Sequence, residues 1–127
     1  MYWAFNAPHY PYQGTTKLLD YYKGLPTPGK EYAAFVSKTD ENIGNILDYL
    51  DEVGIADNTI VIFQSNHRHS LEERAFWGDD NSGPYRGSKF SLFEGGIRVP
   101  AIIRYPGIFP ANQVRVHVIN LAGDGLV

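Results

Sequence analysis

Apolar residues recur every three or four positions in the middle of the chain. From Glu31 onward they form a single stripe: Tyr32, Phe35, Val36, Ile43, Ile46, Leu47, Leu50 and Val53. This spacing predicts an amphipathic helix, because residues three and four apart share one helix face. Gly54 follows at once and is a suitable C-terminal stop. The pattern therefore predicts one long helix that packs on a core through one face.

Several continuous apolar runs predict strands. The run NTIVIF, residues 58–63, is rich in β-branched residues, as is typical of a central parallel strand that is covered on both faces. The runs at residues 2–5, 99–105 and 114–123 predict further strands, and residues 15–24 could form a short helix or a turn. A helix followed closely by a buried strand is half of a βαβ unit. The expected fold is α/β, with a mostly parallel sheet flanked by helices.

Composition narrows the class of protein. The 127 residues suit one domain, and 43% hydrophobic with 20% charged residues is typical of a globular chain. A net charge of -3 argues against a nucleic-acid partner. The absence of cysteine excludes disulfides and thiolate metal sites. No apolar run approaches the roughly 20 residues that cross a bilayer, and residues 1–11 do not resemble a signal peptide but the middle of a domain.

Polar residues with ligand chemistry follow two of the predicted strands. Asn66, His67 and His69 come directly after the run at 58–63, and His9 follows the run at 2–5. In open α/β sheets, ligands bind beyond the carboxyl ends of the strands, so both positions favour a site. The alternatives are a solvated loop with two incidental histidines and, for His9 between two prolines, a packed turn residue.

A glycine-rich stretch, residues 83–100, carries the cations Arg86, Lys89 and Arg98. Glycines let a backbone approach a ligand closely, and the cations could hold an anion such as phosphate or sulfate. The alternative is a glycine-rich turn with surface charges, in which Glu94 pairs with one of the arginines.

Three stretches together resemble a known family. They are FNAPHYP at 5–11, DENIGNILDYLDEVGIADNTIVIFQS at 40–65 and GPYRGSKFSLFEGGIRVPAIIRYPG at 83–107. In this order they resemble the sulfatase family of the alkaline phosphatase superfamily over nearly the whole chain, and YRGSKFSLFEGGIRVP is the most specific part. The resemblance implies a partial alkaline-phosphatase-like three-layer fold. It also implies a single partial catalytic domain over 1–127, the later half of the family's α/β domain.

The resemblance also implies roles for individual residues. Sulfatases hydrolyse sulfate esters with a formylglycine, made from cysteine or serine, and one divalent cation, usually Ca²⁺. His9 matches the histidine that contacts the sulfate and assists the leaving-group oxygen, and Lys89 matches the lysine that binds the sulfate oxygens. Arg86, in the same segment, is expected to add to substrate binding. Asn66 and His67 occupy the two strand-end positions that ligate the metal.

Two residues depart from the family pattern beside this expected metal site. Asn66 stands where an aspartate is expected, so a neutral oxygen replaces a charged ligand. Arg68 stands where glycine is expected, and a guanidinium about 6 Å from a divalent ion would cost on the order of 5 kcal/mol at an effective dielectric near 20. A left-handed backbone there would cost roughly 1–2 kcal/mol more. We therefore expect weakened calcium binding, with His67 the better ligand. Asp79, Asp80 and Asn120 depart from the pattern as well.

The family's nucleophile motif, Cys/Ser-x-Pro/Ala-x-Arg, and the paired aspartates of its first strand lie before the position of Tyr2, so we expect them outside these residues. The first interpretation is a piece of a sulfuric ester hydrolase that supplies half of a calcium and sulfate site and is inactive alone. The alternatives are a non-catalytic remnant that binds sulfate or sulfated glycans, a truncated product that folds poorly, and a phosphate or phosphonate monoester hydrolase. The expected substrate is a sulfate ester, favouring a sulfated carbohydrate, and the expected location is periplasmic, extracellular or lysosomal.

Overall fold

A computed structural model describes residues 1–70 and 83–116 of the chain. The elements follow one another in the order of a helix, a long helix, a 3-10 turn, a strand, a short helix and a strand. Their bounds are α1 Thr16–Tyr21, α2 Gly29–Glu52, the 3-10 turn Ala56–Asn58, β1 Val61–Gln64, α3 Glu94–Ile97 and β2 Ala101–Arg104. Helices and strands thus both occur, and the α/β class is confirmed.

The long helix predicted from the apolar stripe is confirmed as α2. It begins at Gly29, two residues ahead of the predicted start, and ends at Glu52 with Val53 as its C-cap. Gly54 then has a φ of 72°. Because the left-handed region is open to glycine at little cost, this residue lets the chain leave the helix and turn towards β1.

The short helix α1 confirms the expectation for residues 15–24. Its N-cap is Thr15, whose hydroxyl accepts a hydrogen bond from the Leu18 N–H at 3.4 Å. Just before it, Gly14 lies so close to α2 that an added Cβ would be 2.5 Å from the Cβ of Ala34, which is fully buried. The small residues at 14 and 34 therefore allow the segment that leads into α1 to pack on α2.

The strands predicted at 58–63 and 99–105 pair with each other, but the pairing is antiparallel and not parallel as expected. β1 pairs antiparallel with β2, with Val61 opposite Arg104 and Gln64 opposite Ala101. The parallel direction was predicted because a continuous apolar run is typical of a parallel strand that is covered on both faces. In the described part of the chain that cover is thin, since Ile62 is 56% and Ile102 is 62% exposed. An apolar run therefore identified the strand but not its direction.

The other predicted strands have different outcomes. Residues 2–5 form no strand, and Tyr2 and Trp3 are 88% and 54% exposed. An extended aromatic run needs a hydrogen-bonded neighbour to become a strand, and no segment of 1–70 or 83–116 provides one. The run at 99–105 is confirmed as β2. Most of the stretch at 114–123 lies outside the described residues.

Few residues of the described part are buried. They are the small residues Ala34, Ala56 and Ser88, together with the glycines 95 and 96. Local hydrogen bonds and close backbone contacts, rather than a large core, therefore hold the polar residues in place. Along these residues no helix combines the length and the apolar character needed to cross a bilayer.

Candidate functional site

A cavity of about 320 Å³ joins four parts of the sequence that lie far apart. One wall is the His9 loop, residues 5–12, of which all but Pro11 line the cavity. A second wall is the strand-end segment, residues 65–70, which follows β1. Lys89 and Tyr32 complete the lining. Four of the five predicted site residues therefore line one cavity: His9, Asn66, His67 and Lys89.

His9 is held by its immediate neighbours. Its N–H donates to the carbonyl oxygen of Asn6 at 3.0 Å and closes a turn. Its ring stacks on the ring of Tyr10, with 4.8 Å between centroids, and its Nδ1 lies 2.7 Å from the Tyr10 carbonyl oxygen. Because a carbonyl oxygen only accepts, Nδ1 carries the proton in this bond and Nε2 is the nitrogen available to a ligand. His9 itself is exposed.

Lys89 belongs to the glycine-rich stretch at 83–100, and a backbone hydrogen bond joins it to the strand-end segment. Its N–H donates to the carbonyl oxygen of His69 at 2.7 Å. Its ammonium lies 5.0 Å from the ring centroid of Phe90, close enough for a cation–π contact. Phe90 has a φ of 73°, a conformation that costs a bulky residue roughly 1–2 kcal/mol. The backbone beside Lys89 is therefore strained.

Two buried glycines, Gly95 and Gly96, fix the turn that carries Lys89. A Cβ on Gly95 would meet the carbonyl oxygens of Arg86 and Gly87, and one on Gly96 would meet those of Ser88 and Ser91. Gly95 also donates its N–H to the Arg86 carbonyl oxygen at 2.7 Å. Only glycine allows this approach, because each contact is with backbone that cannot rotate away.

Arg86, the remaining predicted site residue, does not line the cavity among the residues described. Its guanidinium lies 4.2 Å from the ring centroid of Phe93, and the residue is exposed. The sequence could not show this, because a side chain three positions from Lys89 in a turn can point either way. In this structure Arg86 helps to hold the turn through its carbonyl oxygen.

The strand-end segment presents two of the predicted ligands. Ser65 donates its hydroxyl to the carbonyl oxygen of His67 at 2.9 Å. The Nδ1 of His67 lies 2.6 Å from the carbonyl oxygen of Arg68, so it donates there and leaves Nε2 for a ligand. Asn66 between them is exposed. The segment thus offers one neutral amide oxygen and one imidazole nitrogen.

Arg68 is anchored to the glycine-rich stretch by its backbone and by its side chain. Its N–H donates to the Gly96 carbonyl oxygen at 3.0 Å, and its Nη1 donates to the carbonyl oxygen of Arg98 at 3.1 Å. The guanidinium carbon is 5.8 Å from the ring centroid of Tyr85. Arg68 is not among the described residues with a left-handed backbone, so the conformational cost considered for an arginine in place of glycine does not arise.

These donors do not fit Ca²⁺, which takes six to eight oxygen ligands, several of them charged carboxylates. Asn66 contributes a neutral oxygen, His67 a nitrogen, and an arginine follows them. Within residues 1–70 and 83–116, no three His, Asp or Glu side chains lie together in a way that could hold a metal ion. The described residues of the cavity therefore do not by themselves form a calcium site.

The sequence that forms this cavity matches one protein family. The sulfatase family profile matches residues 1–123, nearly the whole chain. The chain belongs to the sulfatase family. The resemblance of the sequence to this family is thereby confirmed, while the roles of single residues stay predictions.

Individual sulfatases are similar over much of the chain. It is 37% identical to human N-acetylgalactosamine-6-sulfatase over 114 residues, which are 90% of the chain and 21% of that enzyme. It is 38% identical to a sulfatase of Formosa agariphila over 71% of the chain and 17% of the relative, and 37% identical to rat steryl-sulfatase over 71% and 16%. The chain thus spans about a fifth of the length of these sulfatases.

A solved structure has the same fold. The crystal structure of Ps i-CgsB is 30% identical, with a TM-score of 0.72, over 84% of this chain and 23% of that one. The likeness supports an alkaline-phosphatase-like α/β fold of which the described elements are a part.

Two features of the site have no role in the family resemblance, although His69 was predicted as one of the polar residues that follow the run at 58–63. His69 lines the cavity beside Lys89, although the resemblance assigns no role to it. The run SGPYR at 82–86 also satisfies the bare pattern of the nucleophile motif. Its serine lies outside the described residues, as do Asp79, Asp80 and Asn120, and its Arg86 does not line the cavity.

Proposed function

We propose that this chain supplies the anion-binding side of the active site of a sulfuric ester hydrolase. The observation that carries the proposal is the cavity, because it joins a histidine, a lysine and the strand-end segment from distant parts of the sequence. Membership of the sulfatase family supports a sulfate ester as the substrate class. The name of the human relative supports a sulfated carbohydrate, and the family resemblance supports an exported or lysosomal location.

Lys89 has the chemistry to hold the sulfate group. Its ammonium is a compact charge with three donors, which suits the oxygens of a tetrahedral anion. The hydrogen bond from its N–H to the His69 carbonyl oxygen fixes its backbone at the cavity wall. Because the residue is half-buried, its attraction to an anion is screened less than that of an exposed lysine.

His9 has the chemistry to protonate the leaving group. When a sulfate ester is cleaved, the bond between sulfur and the bridging oxygen breaks and negative charge collects on that oxygen. A protonated His9 would donate its Nε2 proton to this oxygen, since Nδ1 is already engaged with the Tyr10 carbonyl oxygen. The exposed position of His9 leaves room for the leaving group at the mouth of the cavity.

We expect the 127-residue chain alone not to hydrolyse an aryl sulfate above the uncatalysed rate. The reason is that sulfatase chemistry needs a formylglycine, and the chain has no cysteine and no nucleophile motif ahead of the His9 loop. The measurement is release of a chromogenic phenol over many hours. Turnover that disappears in a Lys89→Met variant would contradict this expectation and would indicate a nucleophile within the chain.

We expect Lys89→Met to weaken sulfate binding by roughly tenfold or more, because it removes a charge-assisted hydrogen bond of about 1.5–3 kcal/mol while it keeps an unbranched side chain of nearly the same length. The measurement is a calorimetric titration of the chain with sodium sulfate in the presence of a chelator.

The matched control is Lys38→Met, which makes the same change of charge on α2. Lys38 pairs with Glu41 at 2.9 Å and does not line the cavity. The control should bind sulfate like the unmodified chain. Equal losses in both variants would mean that net charge, and not the cavity, governs binding, and negligible binding by the unmodified chain would end the proposal.

A further inference from the structure

Three histidines line the cavity, and their hydrogen bonds divide them into two kinds. Nδ1 of His9 and of His67 lies 2.7 and 2.6 Å from a backbone carbonyl oxygen, so in both rings Nδ1 carries a proton. The second nitrogen of each ring, Nε2, is then a lone-pair acceptor unless the ring gains another proton. Neither ring, in that form, can donate a hydrogen bond to an anion in the cavity.

His69 differs from both. Its Nδ1 is buried and has no hydrogen-bond partner in the part of the chain that the structure describes. A proton on Nδ1 would be a buried donor without an acceptor, at a cost of about 1–3 kcal/mol, whereas a proton on Nε2 can be donated into the cavity that His69 lines. The proton is therefore more stable on Nε2. In that tautomer His69 is an N–H donor without any further protonation.

The backbone places this donor beside the predicted anion-binding lysine. The His69 carbonyl oxygen accepts the Lys89 N–H at 2.7 Å, so the two residues are neighbours on paired backbone segments. Arg68 makes a second tie, from its N–H to the Gly96 carbonyl oxygen at 3.0 Å. The backbone of His69 is therefore held against the stretch that carries Lys89.

We propose that His69 is a further anion-binding residue of this cavity, whose Nε2–H donates to a sulfate oxygen beside the ammonium of Lys89. This inference rests on the proposed function, because it takes sulfate as the anion in the cavity. The Lys89 ammonium and the His69 imidazole have different roles in binding. The lysine attracts any anion, while an imidazole N–H is directional and orients the sulfate group.

The tautomer can be measured directly in the unmodified chain. Long-range ¹H–¹⁵N spectra of the imidazole rings distinguish a proton on Nδ1 from one on Nε2. We expect the Nε2–H form for His69 and the Nδ1–H form for His9 and His67. Sulfate should shift the Nε2 resonance of His69. Finding the proton of His69 on Nδ1 would overturn the inference.

A matched pair of variants tests the contact. The amide nitrogen of glutamine reaches the place of Nε2, and that of asparagine reaches the place of Nδ1. We therefore expect His69→Gln to bind sulfate within about threefold of the unmodified chain, and His69→Asn to bind about tenfold more weakly. The backbone bond to Lys89 is present in both, so a general loss of structure would affect the two alike.

The outcomes separate this inference from the proposed function. Sulfate binding that depends on Lys89 but is the same in His69→Asn and the unmodified chain would overturn the role of His69 and leave the proposed function intact. An unmodified chain that does not bind sulfate would overturn both. Weak binding by His69→Asn, restored in His69→Gln, is the result we expect.

Discussion

Gly96→Ala is expected to destabilise the chain by about 1–3 kcal/mol and to weaken sulfate binding with it. The new Cβ would meet the carbonyl oxygens of Ser88 and Ser91, which flank Lys89 in the turn. Because both contacts are backbone atoms, the turn itself must move. The move would also strain the hydrogen bond from the Arg68 N–H to the Gly96 carbonyl oxygen. Urea unfolding followed by circular dichroism measures the stability.

The same substitution at Gly44 provides the control. Gly44 lies inside α2, and a Cβ there would meet no atom within 4 Å. Alanine at this position should stabilise the chain by about 0.5–1 kcal/mol, since it lowers the entropy of the unfolded chain and is a better helix former. Opposite signs at the two glycines would support the turn geometry. A Gly96→Ala chain as stable as the unmodified one would contradict it.

The double substitution Asn66→Asp with Arg68→Gly is expected to increase affinity for Ca²⁺ by at least about tenfold, because it restores a carboxylate ligand and removes a cation from the strand-end segment. The repulsion from a guanidinium at about 6 Å, on the order of 5 kcal/mol before the side chain turns away, sets the upper limit of the part of the gain that comes from Arg68→Gly. Calorimetric titration with calcium chloride measures the change. Asn66→Asp alone should give part of it.

A matched control changes the same residue types elsewhere. Asn112→Asp with Arg115→Gly alters the net charge equally, in the described stretch that follows β2 and outside the cavity lining. This variant should bind Ca²⁺ no better than the unmodified chain. If the two double variants gain equally, the effect is one of net charge, and the strand-end segment is not a lost cation site.

The sequence predicted the helices better than the sheet. The apolar stripe of α2 is periodic over about six turns, and Gly54 with its φ of 72° ends the helix as expected. β1 was found from its β-branched residues, but its direction depends on how the chain returns after α3. The turn ahead of β2 is held by close glycine contacts at 95 and 96, which no local pattern of hydrophobic residues encodes.

The sequence predicted which segments form the candidate site, but not how every side chain in them is oriented. Family spacing identified His9, Asn66, His67 and Lys89, and the structure brings these four to one cavity. Family spacing could not give the direction of a side chain in a turn. For this reason Arg86 was expected at the cavity, whereas its guanidinium lies over the ring of Phe93. The tautomers of the histidines depend on which nitrogen meets a carbonyl oxygen, and this too needs coordinates.

A crystal structure of the chain grown with selenate tests directly whether the cavity binds a tetrahedral anion. Selenate has the shape and charge of sulfate, and the anomalous scattering of selenium marks its position. We predict a selenium peak inside the cavity, with selenate oxygens at about 2.7–3.2 Å from the Lys89 ammonium and from a ring nitrogen of His69. Selenate ordered beside Arg86 or Arg98 instead, with none in the cavity, would contradict it.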